Sequence, residues 1–141
     1  MPQLKQILHG RPLFSVQPGE TVAAVAARMA ARNVGAVPVL DNGRLCGVFS
    51  ERDLMRRVVV GGRDPQRTMI GDVMSTALAT ADEDATAEEA MELMRRCGCR
   101  HLPVLRGAEV AGFISMRDLM IADLETKTEE IRHMRNYIQS V

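Results

Sequence analysis

Two stretches of this chain share a spacing with a definite chemical use. Ser50-Glu51-Arg52-Asp53 and Ser115-Met116-Arg117-Asp118 each set a hydroxyl three residues ahead of a carboxylate, with a guanidinium between them. At the start of a helix, that spacing puts the serine on the cap and the aspartate one turn along, near the same mouth. The free backbone N–H groups of such an end attract phosphate, and the serine hydroxyl can donate to a phosphate oxygen. The carboxylate can accept both hydroxyl protons of a ribose, while Arg52 and Arg117 offer planar paired donors to phosphate. Ordinary helix construction accounts for one such motif equally well, since a Ser cap alone contributes ~1 kcal/mol. Two copies in matching context favour ligand binding.

The context matches because the chain is a tandem duplication. Sliding the sequence by 65 positions lays residues 15–55 on 80–120 without a gap. Identities include Thr21/Thr86, Met29/Met94, Pro38/Pro103, Val39/Val104, Gly47/Gly112, Ser50/Ser115 and Asp53/Asp118. Each unit reads as strand–helix–strand–strand–helix. Thr21 caps a helix carrying Val22, Val25, Ala26 and Met29 at helical spacing, and Asn33 to Gly35 stop it. Thr86 with Glu89 forms a capping box ahead of Ala87, Ala90, Met91 and Met94, and Gly98 ends that helix. Two hairpins follow, Val37–Leu40 with Leu45–Phe49 around Asn42-Gly43, and Leu102–Leu105 with Val110–Ile114. Pro38 and Pro103 each remove a ladder donor and are expected at a strand start or an edge. Lead-in segments with apolar spacing precede the units, Leu4/Leu8 and Met69/Val73, again 65 apart. Residues 61–67 are a short linker, so the units should pack together. A unit of roughly 60 residues buries little surface alone.

Two units with an apolar-Pro-Val strand, a hairpin and a Gly-apolar-apolar-Ser-x-Arg-Asp-Leu ending resemble the cystathionine-β-synthase-type (CBS) domain, paired as a Bateman module. The stretches that carry the resemblance are Ala36–Leu40 with Gly47–Leu54 and His101–Leu105 with Gly112–Leu119, and it extends over about residues 3–121. It implies a mixed α/β (α+β) fold of two β-α-β-β-α CBS units in pseudo-twofold symmetry. Unit 1 spans residues 1–62, unit 2 spans 63–121, and a C-terminal helical extension takes 122–141. The resemblance also implies two clefts for adenosine-containing ligands: AMP, ADP or ATP, with NAD(H) or S-adenosylmethionine as alternatives. The ligand-binding set it implies is Ser50, Arg52 and Asp53, then Ser115, Arg117 and Asp118, with Val37 and Leu102 on the strands. Arg100 and His101, just before Leu102-Pro103, stand where basic residues of similar nucleotide-binding proteins reach phosphate. On that basis the Asp118 cleft is expected to take a phosphorylated ligand first. Each cleft should borrow the segment before the other unit's first helix: Leu13–Val16, with Phe14 and Ser15, at Asp118, and Leu78–Ala81, with Ala79 and Thr80, at Asp53.

Composition excludes several other classes. Lys+Arg and Asp+Glu both number 18, which argues against a basic nucleic-acid binder or a charge-held membrane protein. The neutrality hides a gradient, net +5 over residues 1–70 and −5 over 71–141, as expected if opposite halves fold against each other or against a partner copy. Apolar runs are too short to span a bilayer, and no signal-type apolar stretch opens the chain, so a cytoplasmic protein is expected. The 10 Met and only 4 aromatics imply an aliphatic, adaptable core. Three Cys make no disulfide framework, and reduced thiols are expected. Cys97-Gly98-Cys99 ahead of His101 invites a metal or redox reading, but four zinc ligands are lacking and small buried hydrophobes account for it better. No phosphate-binding glycine loop, Ser-His-Asp set or HExxH occurs, so no catalytic role or metal is expected.

From Met120 on, Met120, Leu124, Lys127, Ile131, Met134, Ile138 and Val141 alternate steps of four and three, with Glu129, Glu130, Arg132 and Arg135 beside them. That is a seam for a partner helix, or for the flank of its own module. The expected protein is a homodimeric ligand sensor read by a separate effector protein. The alternative is a structural interaction protein with vestigial clefts.

Overall fold

Local signals explain most elements of the computed structural model, which describes residues 2–140. The lead-in helix α1 (Leu4–Leu8) precedes α2 (Val22–Arg32), which starts where the Thr21 hydroxyl accepts the Ala24 N–H at 3.2 Å. It buries Val22, Val25 and Met29 and stops at Asn33, which takes the left-handed conformation with φ 54°. The hairpin β1 (Ala36–Asp41) and β2 (Arg44–Ser50) turns through Asn42 and Gly43, both at positive φ (50° and 82°). That pair of angles matches the strand twist, which is why Asn-Gly is favoured there. A single turn α3 (Glu51–Asp53) continues as a π-helical stretch over Leu54–Val59.

The second unit repeats the plan after the lead-in helix α4 (Ile70–Val73): β3 (Ala81–Asp82), α5 (Ala87–Cys97), β4 (His101–Arg106) and β5 (Glu109–Ser115). β3 runs parallel to β4 through Ala81–Val104 and Asp82–Leu105. In the first unit the equivalent strand shrinks to one residue, Val16, bridging to Val39 in parallel. The Val16 N–H donates to the Pro38 carbonyl at 3.1 Å, and the Leu40 N–H donates to the Val16 carbonyl at 2.8 Å. Pro38 therefore turns its donorless nitrogen towards the flank that only this bridge covers, and the ladder loses nothing. Both hairpins slip register at the same place, after Val39 and after Val104. The chain ends in α6 (Met116–Ser140), whose buried residues are only Leu119 and Ala122.

The lead-in helices do not pack on the units they precede. Leu4 and Leu8 of α1 are buried with Ala81, Ala87, Met94, Leu102 and Ile114 of the second unit. Ile70 and Val73 of α4 are buried with Val16, Val25, Val37 and Phe49 of the first. Backbone bonds fix the exchange: Leu4 N–H to Ala85 O and Ile70 N–H to Glu20 O, each 2.9 Å. The helices correspond at an offset of 66 rather than 65, Leu4 with Ile70 and Leu8 with Met74, which corrects the pairing of Leu4/Leu8 with Met69/Val73. Unit 1 has one extra residue between its lead-in helix and Val16. Met69 is 41% exposed, so Ile70 is the residue that buries.

This exchange explains the glycine repeated at 47 and 112. The Met74 side chain lies on Gly47 and Leu8 lies on Gly112, each where a side chain would otherwise stand. A Cβ on Gly47 would also come 3.0 Å from the Ser75 carbonyl, whereas one on Gly112 would meet only the Leu8 tip at 2.7 Å. Both Gly47→Ala and Gly112→Ala are expected to destabilise by ~1–3 kcal/mol in urea unfolding, as overpacking does. Gly47→Ala should cost more, because backbone yields less than a side-chain end. Equal or negligible costs would contradict the packing.

Candidate functional site

Asp53 is a buried carboxylate bonded from both units' segments. It follows the Ser50 cap, whose N–H and Oγ both donate to Asp53 Oδ2, at 3.0 and 3.1 Å. The Asp53 N–H in turn donates to Ser50 Oγ at 3.3 Å. Oδ1 accepts from Ser75 Oγ at 2.9 Å and lies 3.7 Å from Arg57 Nε. Ser75 is held there by an antiparallel bridge to Val48, with N–H to O distances of 2.9 and 3.0 Å. Arg57 also donates to the Met74 carbonyl at 2.8 Å, pinning the end of the α4 segment to the π-helical turn. Asp53 is buried, with two hydrogen bonds on Oδ2 and one on Oδ1, so an incoming ribose would compete with Ser50 and Ser75 for it.

Above it opens a cavity of about 430 Å³ between the two units. Ala36, Val48, Ala77, Leu78, Ala79 and Pro103 form its apolar walls, while Ser50, Arg52, Arg100 and His101 supply polar and cationic groups. Cys97, Gly98 and Cys99 complete one side. His101 stacks on Phe113, with ring centroids 5.4 Å apart and planes 7° from parallel. Burial pushes its imidazole below the ordinary 6.5, with Arg100 adding to this and Asp118 and Glu51 opposing.

Asp118 sits differently. Its Oδ2 accepts the Ser115 N–H at 2.9 Å, and Oδ1 lies 3.0 Å from Arg11 Nη1. Burial disfavours its charge, but the Ser115 bonds and the Arg11 guanidinium outweigh that and hold the carboxyl below its ordinary 3.8. Arg11 belongs to the chain ahead of the first unit. The residue that reaches this carboxylate is Arg11, which lies ahead of the Leu13–Val16 stretch expected there.

Of the residues expected to bind ligand, the cavity gathers Ser50, Arg52, Asp53, Ala79, Arg100 and His101. Arg100 and His101 thus line the Asp53 cavity, which removes the reason for expecting phosphate first at Asp118. β2 touches β5 across the unit boundary, and His101 pairs with Ser115 at the end of β5, so the start of β4 faces the first unit's cleft. Val37 and Leu102 are wholly buried in the two cores and line nothing. Phe14 packs against the first core beneath Arg28 and Arg32, whose guanidinium carbons lie 5.2 and 4.2 Å from its ring centre. Ser15, Thr80, Ser115, Arg117 and Asp118 also lie off the cavity wall.

Two features went unread in the sequence. Ser75 carries no motif, and only the exchange of lead-in segments brings it to Asp53. Cys97 and Cys99 are joined as a disulfide, with Cα atoms 5.4 Å apart, and are not the buried thiols expected. The buried stripe of α5 ends at Met94, so Cys97 lies past the core and is exposed. Among the described residues no group of three or more His, Cys, Asp or Glu could hold a metal ion. No described helix is long and apolar enough to cross a membrane.

Comparison with known proteins agrees with this architecture. The CBS domain family profile matches residues 4–60 and again 70–125. The CBS domain-containing protein YhcV of Bacillus subtilis is 32% identical over 114 residues, covering 81% of each chain. The crystal structure of the CBS-domain containing protein ATU1752 from Agrobacterium tumefaciens superposes with TM-score 0.79 at 30% identity, covering 86% of this chain and 99% of that one. The CBS domain protein PAE2072 from Pyrobaculum aerophilum, solved complexed with AMP, superposes with TM-score 0.74 at 27% identity, covering 83% and 89%.

His101 and Asp118 both hold protons less tightly in the folded chain than in the unfolded one. The unfolded chain therefore binds more protons as pH falls, and stability drops with it. The His101 contribution is present above pH 6.5 and is lost as pH falls through its lowered value; that of Asp118 is present above 3.8 and is lost below. Urea midpoints measured against pH should show both losses. His101→Gln should remove the upper one, and Asp118→Asn or Arg11→Ala should flatten the lower. An unchanged acid limb in Arg11→Ala would contradict the Arg11–Asp118 pairing.

Proposed function

Because the chain belongs to the CBS domain family and carries two such domains in tandem, we propose that it is a regulatory module that binds an adenosine-containing ligand in the Asp53 cavity. The observation that carries this reading is the cavity itself, which combines apolar walls with Arg52, Arg100 and His101, and with Glu51 among them. Its volume of about 430 Å³ lies in the range of small-molecule sites. A purine fits between Leu78, Ala79 and Pro103, and a phosphate faces the cations. AMP, ADP or ATP suits this best, with NAD(H) and S-adenosylmethionine as alternatives. The AMP complex of PAE2072 supports the same choice.

Signalling follows from the bond that Asp53 makes to Ser75. A ribose hydroxyl at Oδ1 competes with Ser75 Oγ and so loosens one of the contacts that hold the end of the α4 segment to the first unit. Ligand thereby favours one arrangement of the two units over another, as a switch requires. An effector protein reads that difference, and the ligand is sensed rather than converted. A cytoplasmic setting suits a sensor of adenine nucleotides.

The exposed face of α6 supports a homodimer. Met120, Leu124, Ile131, Met134 and Ile138 lie exposed along it, while Val141 falls outside the described residues. Lys127 interrupts the seam, but its ammonium is drawn aside to Asp123 at 3.0 Å. In a parallel pair, Glu130 of one copy would face Arg135 of the other.

Calorimetry with AMP, ATP, NADH and S-adenosylmethionine tests the ligand. Asp53→Ala should abolish binding, and Ser75→Ala should tighten it by removing the competitor. Arg100→Ala with His101→Ala should weaken AMP by ~1.5–3 kcal/mol while sparing adenosine. Full affinity in Asp53→Ala overturns the site. For assembly, sedimentation of a chain lacking residues 125–141 should show monomer where the full chain is dimer; an unchanged dimer removes α6 from the interface.

A further inference from the structure

We propose that Cys97 and Cys99 form a reversible thiol–disulfide exchange site in the cavity wall, and that its state sets how firmly Arg100 and His101 are held for ligand. The part that concerns ligand rests on the reading of the cavity as a nucleotide site.

The duplication supplies an internal control. α2 and α5 end in the same way, with Asn33 at φ 54°, ψ 46° and Gly98 at φ 68°, ψ 25°. After the cap, the Val34 N–H donates to Met29 O at 3.1 Å and the Cys99 N–H to Met94 O at 3.2 Å. In the first unit Arg32 and Val34 stand where Cys97 and Cys99 stand in the second, so the turn closes with no sulfur at all. The disulfide is therefore not needed to build the turn. It also spans a sequence separation of only two, so it removes little chain entropy. A bond without a structural task, one sulfur of which belongs to an exposed residue at a helix end, is open to exchange.

Its position gives it a consequence. Residues 97–101 line the cavity without interruption, so the bonded ring adjoins both Arg100 and His101. The Arg100 carbonyl accepts from Met116 N–H at 2.8 Å, which anchors the far side of the same segment to α6. With the sulfurs joined, the near end is held by the disulfide as well as by the Cys99 N–H bond to Met94 O. With them reduced, backbone bonds alone hold it. Cys46, the remaining cysteine, lies on β2 with its Sγ 3.4 Å from the Val39 carbonyl, and burial pushes its thiol up.

The exchange partner is a small thiol–disulfide couple. In reduction, an external thiolate attacks Cys97 Sγ, the Cys97–Cys99 bond breaks, and Cys99 leaves as a thiolate that takes a proton. A second external thiolate then attacks the external sulfur of the mixed disulfide and releases Cys97. Two external thiols become one disulfide, and the protein gains two electrons and two protons. Oxidation is the reverse.

The test equilibrates the full chain in glutathione buffers of graded thiol-to-disulfide ratio, counts free thiols by alkylation and mass spectrometry, and follows amide exchange at residues 98–101. The thiol count should step by two between reducing and oxidising buffers, in wild type and Cys46→Ser alike. Exchange at residues 98–101 should slow on oxidation, and Cys97→Ser/Cys99→Ser should stay fixed in the fast state. AMP should bind about tenfold more tightly to the oxidised form, because preorganised groups lose less freedom on binding. By reciprocity, saturating AMP should shift the redox midpoint by ~30 mV in favour of the disulfide. Constant thiol count, unchanged amide exchange, or equal AMP affinity in both forms overturns the switch. If AMP binds neither form, the nucleotide reading fails, and thiol count with amide exchange still decides the exchange site.

Discussion

Everything in this structure depends on the exchange of the two lead-in helices. Leu4 and Leu8 complete the core around Met94 and Leu102, and Ile70 and Val73 complete the one around Val25 and Phe49. Each of these buried side chains contributes up to roughly 1.5–3 kcal/mol, and each contribution is made to the other unit. Neither unit can therefore close its core alone. The same exchange requires glycine at 47 and 112, carries Ser75 to Asp53, and lays Leu78 and Ala79 along the cavity. Packing that makes the fold also makes the site.

The repeat is symmetric in backbone and asymmetric in charge. Asp53 is closed in by Ser50, Ser75 and Arg57, whereas Asp118 faces Arg11 at the surface. The position 65 after Arg57 holds Ala122, which is buried and has no charge to offer. Two differences between the copies, Arg57 against Ala122 and Ser75 against His9 at the lead-in offset, thus separate a sealed carboxylate from a more accessible one. The opposed charge of the two halves has the same outlet. Lys5 pairs with Asp84 at 2.7 Å and Arg11 with Asp118 at 3.0 Å, each linking the positive half to the negative. Exposed pairs of this kind contribute little to stability, and their effect is on orientation.

Among the described residues, the cavity and the exposed face of α6 differ in chemistry. The cavity has mixed chemistry suited to a small amphiphilic ligand. The exposed face of α6 is apolar along one stripe and suited to another helix. They are joined through Ser115 and Met116, which end β5 and begin α6, and through the Arg100 carbonyl that Met116 engages. A change at the cavity wall therefore has a short covalent and hydrogen-bonded route to the helix.

The sequence by itself determined every element whose cause is local. The 65-residue offset, the Thr21 and Thr86 caps, the Asn42-Gly43 turn and the two Ser-x-Arg-Asp starts all appear in the structure where their spacing placed them. Such features rest on contacts between residues a few positions apart, and a pattern of residue types records those contacts directly. Tertiary structure alone decided which core each lead-in helix would fill, because Leu4 and Ile70 offer the same apolar face to either one. That choice is made by packing over some eighty residues of chain in the first case and fifty in the second, through Leu4 N–H to Ala85 and Ile70 N–H to Glu20. It brought in a serine that no motif marks, while the β2–β5 contact set Arg100 and His101 beside Asp53. The cysteines follow the same division: their spacing was visible, but only the end of the α5 stripe at Met94 put Cys97 outside the core and within bonding reach of Cys99.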